Sequence, residues 1–302
     1  MLGARIQRRR RRLQSLGFAT AIAVVPSLAA ADDDELSKTG QSNNPFYALD
    51  TKNLFGFLEG ADVGEQGDRS LEFETTGSFG RQQGVYNSIE QEIIFEPTLT
   101  DSLGVEFGAH VLAQDIHGVP GLPDFVGVNF MGASVEFRYV VMHRTADLPI
   151  QVTVTAEPEY NSIADAGQQA ADFSTAFRAI ADVISMDQRL YGAVNLVYEP
   201  DGSRFAGLPR QNTALLSASA ALSYRTTPAL MFGGEADYDR AYGGLVPRGF
   251  EGQAFYLGPT FHYQINEKID LSAAFLAQTP FGRLDFEEFP RQLAKLRLEV
   301  EF

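Results

Sequence analysis

The C-terminal residues alternate without a break. Leu296, Leu298, Val300 and Phe302 are apolar, and Lys295, Arg297, Glu299 and Glu301 between them are charged. A side-chain period of two places one set on each face of an extended strand. The same rhythm recurs from residue 69 onward, and it predicts strands at 69–81, 85–96, 103–114, 127–141, 150–160, 177–185, 190–199, 213–225, 230–239, 252–264, 269–278 and 292–302. Strands of about 9–11 residues, tilted, are long enough to cross a bilayer. The run 177–185 is ambiguous, because Ile163, Ala170, Phe173, Phe177, Ile180 and Ile184 also fit one face of a helix. With it the count is twelve; without it the count is odd and the two termini fall on opposite sides.

The connections sort by length. Short turns are expected at 97–102, 143–149, 186–189, 226–229 and 265–268, and longer loops at 115–126, 161–176, 200–212, 240–251 and 279–291. The link from Gln82 to Gly84 is short where this scheme wants a long one. A soluble sandwich and a membrane barrel both alternate apolar with polar side chains. Only the barrel also accounts for strand length and for turns on one side with loops on the other. The reading is therefore all-β: a transmembrane antiparallel β-barrel of about 12 strands, with short periplasmic turns and longer extracellular loops.

The two parities differ in chemistry. Phe73, Phe95, Phe107, Phe137, Tyr139, Phe232, Tyr263 and Phe275 share the apolar face, with aromatics near strand ends as at membrane interfaces. The other face carries Glu90, Glu92, Glu106, Glu136, Arg138, Glu157, Glu159, Glu235 and Asp237, which the barrel turns into its lumen. Counting Glu72, Glu74, Asp270, Glu299 and Glu301 as well, and leaving aside the sixth strand, thirteen acids face inward against Arg138, Lys295 and Arg297. A lumen with about ten unbalanced negative charges favours cations.

The N-terminus reads as an address. Six arginines, Arg5 and Arg8 to Arg12, precede an apolar run from Leu16 to Leu28, then Ala29-Ala30-Ala31 and an acidic stretch from Asp32. That is the layout of a secretory signal peptide at 1–31, cleaved before Asp32, and the apolar run is too short to span ~30 Å of hydrocarbon as a helix. Beyond it, 18 basic residues face 39 acidic ones, a surface that repels nucleic acid. The absence of Cys excludes disulfides, thiolate metal sites and Cys nucleophiles.

Residues 32–68 are a leader. Its first part is polar, but Phe46, Tyr47, Leu49, Leu54, Phe55, Phe57 and Leu58 would each cost roughly 1.5–3 kcal/mol if left in water. Either the segment folds against the periplasmic mouth, or it plugs the lumen, with Asp50 or Thr51 capping a short helix. The barrel proper is 69–302.

The closing strand QLAKLRLEVEF resembles the terminal assembly signal of Gram-negative outer-membrane β-barrel proteins. The resemblance implies that Phe302, with Val300, Leu298 and Leu296, is read by the barrel-assembly machinery. The turn EPTLTDSLGVEFG (96–108) is similar to periplasmic turns of that class. The segments at 53–81 and 193–200 resemble a group of alphaproteobacterial outer-membrane proteins loosely called transporters. Outer-membrane lipid and small solutes are then the partners to expect.

No catalytic, cofactor or metal site is expected. His110 and His262 fall on the lumen parity and His117 and His143 in connections, whereas a lipid hydrolase needs its histidine at the lipid-facing rim. His110 could meet Ser134 or Glu136 across neighbouring strands. Asp237 and Asp239 with Asp182 or Glu235 could hold Ca²⁺, but no loop spaces its ligands for it. Three functions remain: a channel or transporter for small solutes, a structural or adhesive barrel working through its loops, and an outer-membrane lipid-modifying enzyme.

Overall fold

A computed structural model describes residues 49–145, 147–164, 168–280 and 289–302. The signal-peptide reading and Phe46 and Tyr47 lie outside the described residues. Twelve strands follow one another: β1 (Arg69–Phe79), β2 (Val85–Thr100), β3 (Leu103–His117), β4 (Phe125–Met142), β5 (Ile150–Ile163), β6 (Gln169–Ile184), β7 (Leu190–Phe205), β8 (Gln211–Thr227), β9 (Leu230–Gly243), β10 (Phe250–Asn266), β11 (Ile269–Gln278) and β12 (Gln292–Glu301). Each pairs antiparallel with its chain neighbours, and β1 pairs with β12, so the sheet closes with no free edge. Closure satisfies the backbone hydrogen bonds that hydrocarbon cannot supply.

The twelve-strand antiparallel barrel is as the alternation predicts, and three details differ. The sixth strand is a strand throughout and begins at Gln169, well before 177. It looked helical because its lumen face is itself partly apolar: Ala176, Ile180 and Ile184 point inward with Arg178 and Asp182 between them. The strands reach 18 residues in β4. Their polar ends stay in the ladder, so Pro200 pairs with Ala214 and Asp201 with Thr213, where a loop was expected. The expected long loops accordingly shrink to 118–124, 206–210 and 244–249, and 161–163 and 169–176 of the expected 161–176 loop join β5 and β6; most of 279–291 lies outside the described residues. Opposite them lie 101–102, 143–149, 185–189, 228–229 and 267–268, so the length contrast between the two ends is weaker than the sequence implies. His117 closes β3 and is not in a loop.

The faces separate cleanly. Phe73, Phe95, Phe107, Phe137, Tyr139, Phe232, Leu257 and Phe275 are exposed on the outer wall, whereas Glu72, Glu136, Arg138, Glu235 and Arg297 are buried inside. One β-bulge preserves this sorting. Val111 pairs with Phe130 and His110 with Gly132, so Met131 is an extra residue that reverses the parity of β4. Val126, Val128 and Phe130 thereby face outward with Val135, Phe137 and Tyr139.

Candidate functional site: the barrel lumen

Residues 49–63 lie inside the barrel, at the end that carries the short turns and both ends of the strand circuit. The segment contains no helix, so neither Asp50 nor Thr51 caps one. Asp50 instead accepts the Lys52 N–H at 2.7 Å in a tight turn. Leu49, Leu54, Phe55 and Leu58 are buried against the lumen-facing Ile184, Tyr191, Ala193, Ala221 and Met231 of β6 to β9. Burial of those four side chains is what drives the segment off water and onto the wall.

The polar part of the segment is tied to almost the whole circumference. The Lys52 ammonium bridges Glu96 of β2 and Glu106 of β3, the latter at 2.9 Å. Asn53 Nδ2 donates to Glu72 of β1 and Glu299 of β12, at 2.9 and 2.8 Å. On the far side, Glu235 of β9 accepts the backbone N–H groups of Gly56, Phe57 and Leu58 at 2.6, 2.9 and 3.3 Å. Arg138 of β4 pairs with Glu59 and donates to the Gly60 carbonyl at 2.8 Å. Asp182 of β6 accepts from the Thr51 hydroxyl and from the Ala61 N–H at 2.9 Å. Asp62 accepts from Gln151 at 2.7 Å and from Arg144 at 3.3 Å. Buried carboxylates met by several donors are the strong class of hydrogen bond, and an unmet one is costly.

This segment separates two cavities. One, about 90 Å³, sits between it and the middle of the barrel, lined by Asn53, Glu59, Glu74, Glu92, Glu157 and Arg178 among others. The other, about 40 Å³, faces the short-turn mouth and is lined by Asp50, Val63, Asp68, Arg69 and Glu301 among others. Lys52 lines both.

The inward charges meet partners that parity alone did not reveal. Arg178 of β6 pairs with Glu136 and with Glu157, the latter at 2.7 Å. Arg297 lies 2.7 Å from Glu72 and 2.8 Å from Glu74, and Lys295 is 2.7 Å from Glu74. The expected count of three inward cations is therefore low. Lys52, Arg144 and Arg178 join Arg138, Lys295 and Arg297, and the inward set of acids also gains Glu59, Asp62, Glu96 and Asp182. Among the described residues, nine carboxylates share these six cations. Lys52 and Glu96 could have been suspected from the sequence only by seeing that Glu96 continues the parity of Glu90 and Glu92. Glu159 is bonded to Asn161 at 2.5 Å and Asp237 to Ser219 at 2.8 Å.

The histidines group differently from expectation. His110 meets neither Ser134 nor Glu136; its Nδ1 is 2.9 Å from Glu90 and its Nε2 3.3 Å from Glu92, both on β2. His262 lies 3.4 Å from Asp270 inside the lumen. His143 Nε2 is 2.8 Å from the Ser102 hydroxyl at the short-turn rim, and no carboxylate is bonded to its ring among the described residues. Asp182 is engaged by Arg144 and residues 51–61, away from Asp237 and Asp239, which bond Ser219 and Ser217.

An apolar outer wall, a closed antiparallel ladder and a charged lumen define a β-barrel of the outer-membrane type. Residues 47–301 match a family of unknown function (DUF6662), and the chain belongs to that family. By sequence the chain matches no curated protein. In fold it is similar to the crystal structure of the COG4313 outer membrane channel of Pseudomonas putida F1, with 13% identity, 80% of this chain and 98% of that chain covered, and a TM-score of 0.56. The NanC porin is similar at 9% identity over 77% of this chain and 98% of its own, with a TM-score of 0.48.

Proposed function

We propose that the protein is an outer-membrane channel for small solutes, exported by its N-terminal signal, held closed by residues 49–63 and preferring cations when open. The observation that carries this reading is the charged lumen divided in two by a segment of the chain itself. A barrel serving only as a scaffold for its loops has no need of buried ion pairs around an inner segment, since a packed apolar filling would be as stable or more so. Ion pairs and single hydrogen bonds to a segment with no ladder of its own can be exchanged for water when the segment leaves. The excess of lumen carboxylates over cations favours positive solutes, in the manner of carboxylate rings in cation pores. A lipid-modifying enzyme is disfavoured because His110 and His262 lie in the lumen. Planar-bilayer recording tests the reading: rare or small openings for the intact chain, and steady conductance once residues 32–63 are deleted. A deleted form that conducts nothing overturns it.

A further inference from the structure

We propose that the 90 Å³ cavity above the segment is a binding site for a small organic cation bearing a guanidinium or ammonium group. This deepens the channel reading and rests on it for the ligand's way in. The four cations that line the cavity are already taken up by carboxylates: Lys52 by Glu96 and Glu106, Arg178 by Glu136 and Glu157, Lys295 by Glu74, and Arg297 by Glu72 and Glu74. Glu92 also lines the cavity, and its ion-pair partner among the described residues is His110 at 3.3 Å, with no Lys or Arg in reach. A buried carboxylate served by one long contact is short of donors.

Two further features point to a ligand. Asn53 lines the same cavity and is 94% buried, with Nδ2 committed to Glu72 and Glu299, and its Oδ1 receives no donor. Gly108 lets two of the cavity's acceptors close against the β3 backbone: a Cβ there would stand 2.3 Å from Glu92 Oε1 and 2.4 Å from the Ser134 hydroxyl, so a side chain would push both out of place. The cavity thus offers a carboxylate, an amide oxygen and a hydroxyl, all able to accept, from Glu92, Asn53 and Ser134. No three His, Asp or Glu side chains converge as metal ligands among the described residues. Acceptors spread over a cavity suit a planar or branched group whose N–H donors point apart, as a guanidinium's do, better than a bare ion.

The test is calorimetric titration of the whole purified barrel in detergent with methylguanidinium, alongside bilayer recording. A saturable heat is expected. Losing a charge-assisted hydrogen bond in Glu92→Gln should weaken binding roughly tenfold. Gly108→Ala, whose Cβ displaces the Glu92 carboxylate and the Ser134 hydroxyl together, should abolish it, and Asp239→Asn, a lumen carboxylate outside the cavity, should leave it intact. No saturable heat, or unaltered affinity in both Glu92→Gln and Gly108→Ala, overturns the site. Conductance without binding overturns this site and spares the channel reading. Binding by the intact barrel, with no conductance even from the form lacking residues 32–63, supports the site and overturns the channel.

Discussion

Gly56 lies against Ala274 of β11 so closely that a Cβ on Gly56 would stand 2.2 Å from the Ala274 Cβ and 2.9 Å from its backbone nitrogen. Non-bonded carbons rest at about 3.5–4.0 Å. The segment seats here because one partner has no side chain and the other has a single methyl. It cannot back away either, because the Gly56 N–H is held by Glu235 at 2.6 Å. Gly56→Val should therefore push residues 49–63 off the wall while leaving the strand ladder alone. The expected outcome is a severalfold rise in bilayer conductance with heat-modifiable gel mobility retained. A variant that stays closed would mean that the segment slides within the lumen instead of leaving it.

Lys52 is the electrostatic counterpart of that steric lock. Its ammonium is buried between Glu96 and Glu106, and removing it strands two carboxylates in a site with little water. Breaking a buried pair by deleting one partner typically costs about 3–5 kcal/mol. Lys52→Met should loosen the segment by that order, read as faster amide exchange over residues 50–63. The double variant Lys52→Met with Glu96→Gln should regain part of the loss. Unchanged exchange in Lys52→Met would show that the apolar contacts of Leu54, Phe55 and Leu58 hold the segment unaided.

The barrel was legible in the sequence because alternation is a local signal, repeated in every strand. Where two influences overlap, it fades. Ile180 and Ile184 face inward yet are apolar, because Ile184 packs on the lumen segment, so β6 lost its contrast and read as a helix. The polar ends of β7, with Pro200 and Asp201, read as loop because nothing apolar marks a ladder that continues above the bilayer. The segment's burial was legible from its apolar residues, with the lumen as one of two places for it, but the contacts that decide between them were not. Its contacts, such as Asn53 with Glu299, join residues far apart in the chain, and no local pattern encodes them.

The proposed export and insertion signals lie at the two ends of the chain. The mature protein should begin at Asp32, fractionate with the outer membrane and migrate anomalously on unheated gels. N-terminal sequencing of the membrane fraction checks this. Recovery in the soluble periplasm would contradict the proposed location.

Phe302 is exposed at the end of β12, in the outward parity of Leu296. Its N–H bonds the Arg69 carbonyl at 3.0 Å, while its ring packs little, so its side chain contributes modestly to the folded barrel. If the terminus is an assembly signal, Phe302→Asp should lower folded yield in cells several times more than it lowers refolding in detergent, where no receptor reads it. Equal loss in both settings would leave packing as its role.

The last expectation is charge selectivity. Nine carboxylates share six cations around the lumen segment, and Glu90, Glu92, Glu159 and Asp237 face the same interior with no Lys or Arg paired to them among the described residues. A narrow aqueous path with low-dielectric walls focuses such a field and concentrates counter-ions. Opened by Gly56→Val, the pore should show a cation-preferring reversal potential across a salt gradient at neutral pH. The preference should weaken between 0.1 M and 1 M salt, as the Debye length falls from ~10 Å to ~3 Å. It should also weaken as the pH drops toward about 5 and then below, because carboxylates take up protons and lose the charge that attracts cations. Glu92→Gln combined with Glu159→Gln should shift the reversal potential toward zero without altering assembly. An anion-preferring pore would place Arg210 and Arg248, from the long-loop end, at the narrowest point of the path instead of the carboxylates.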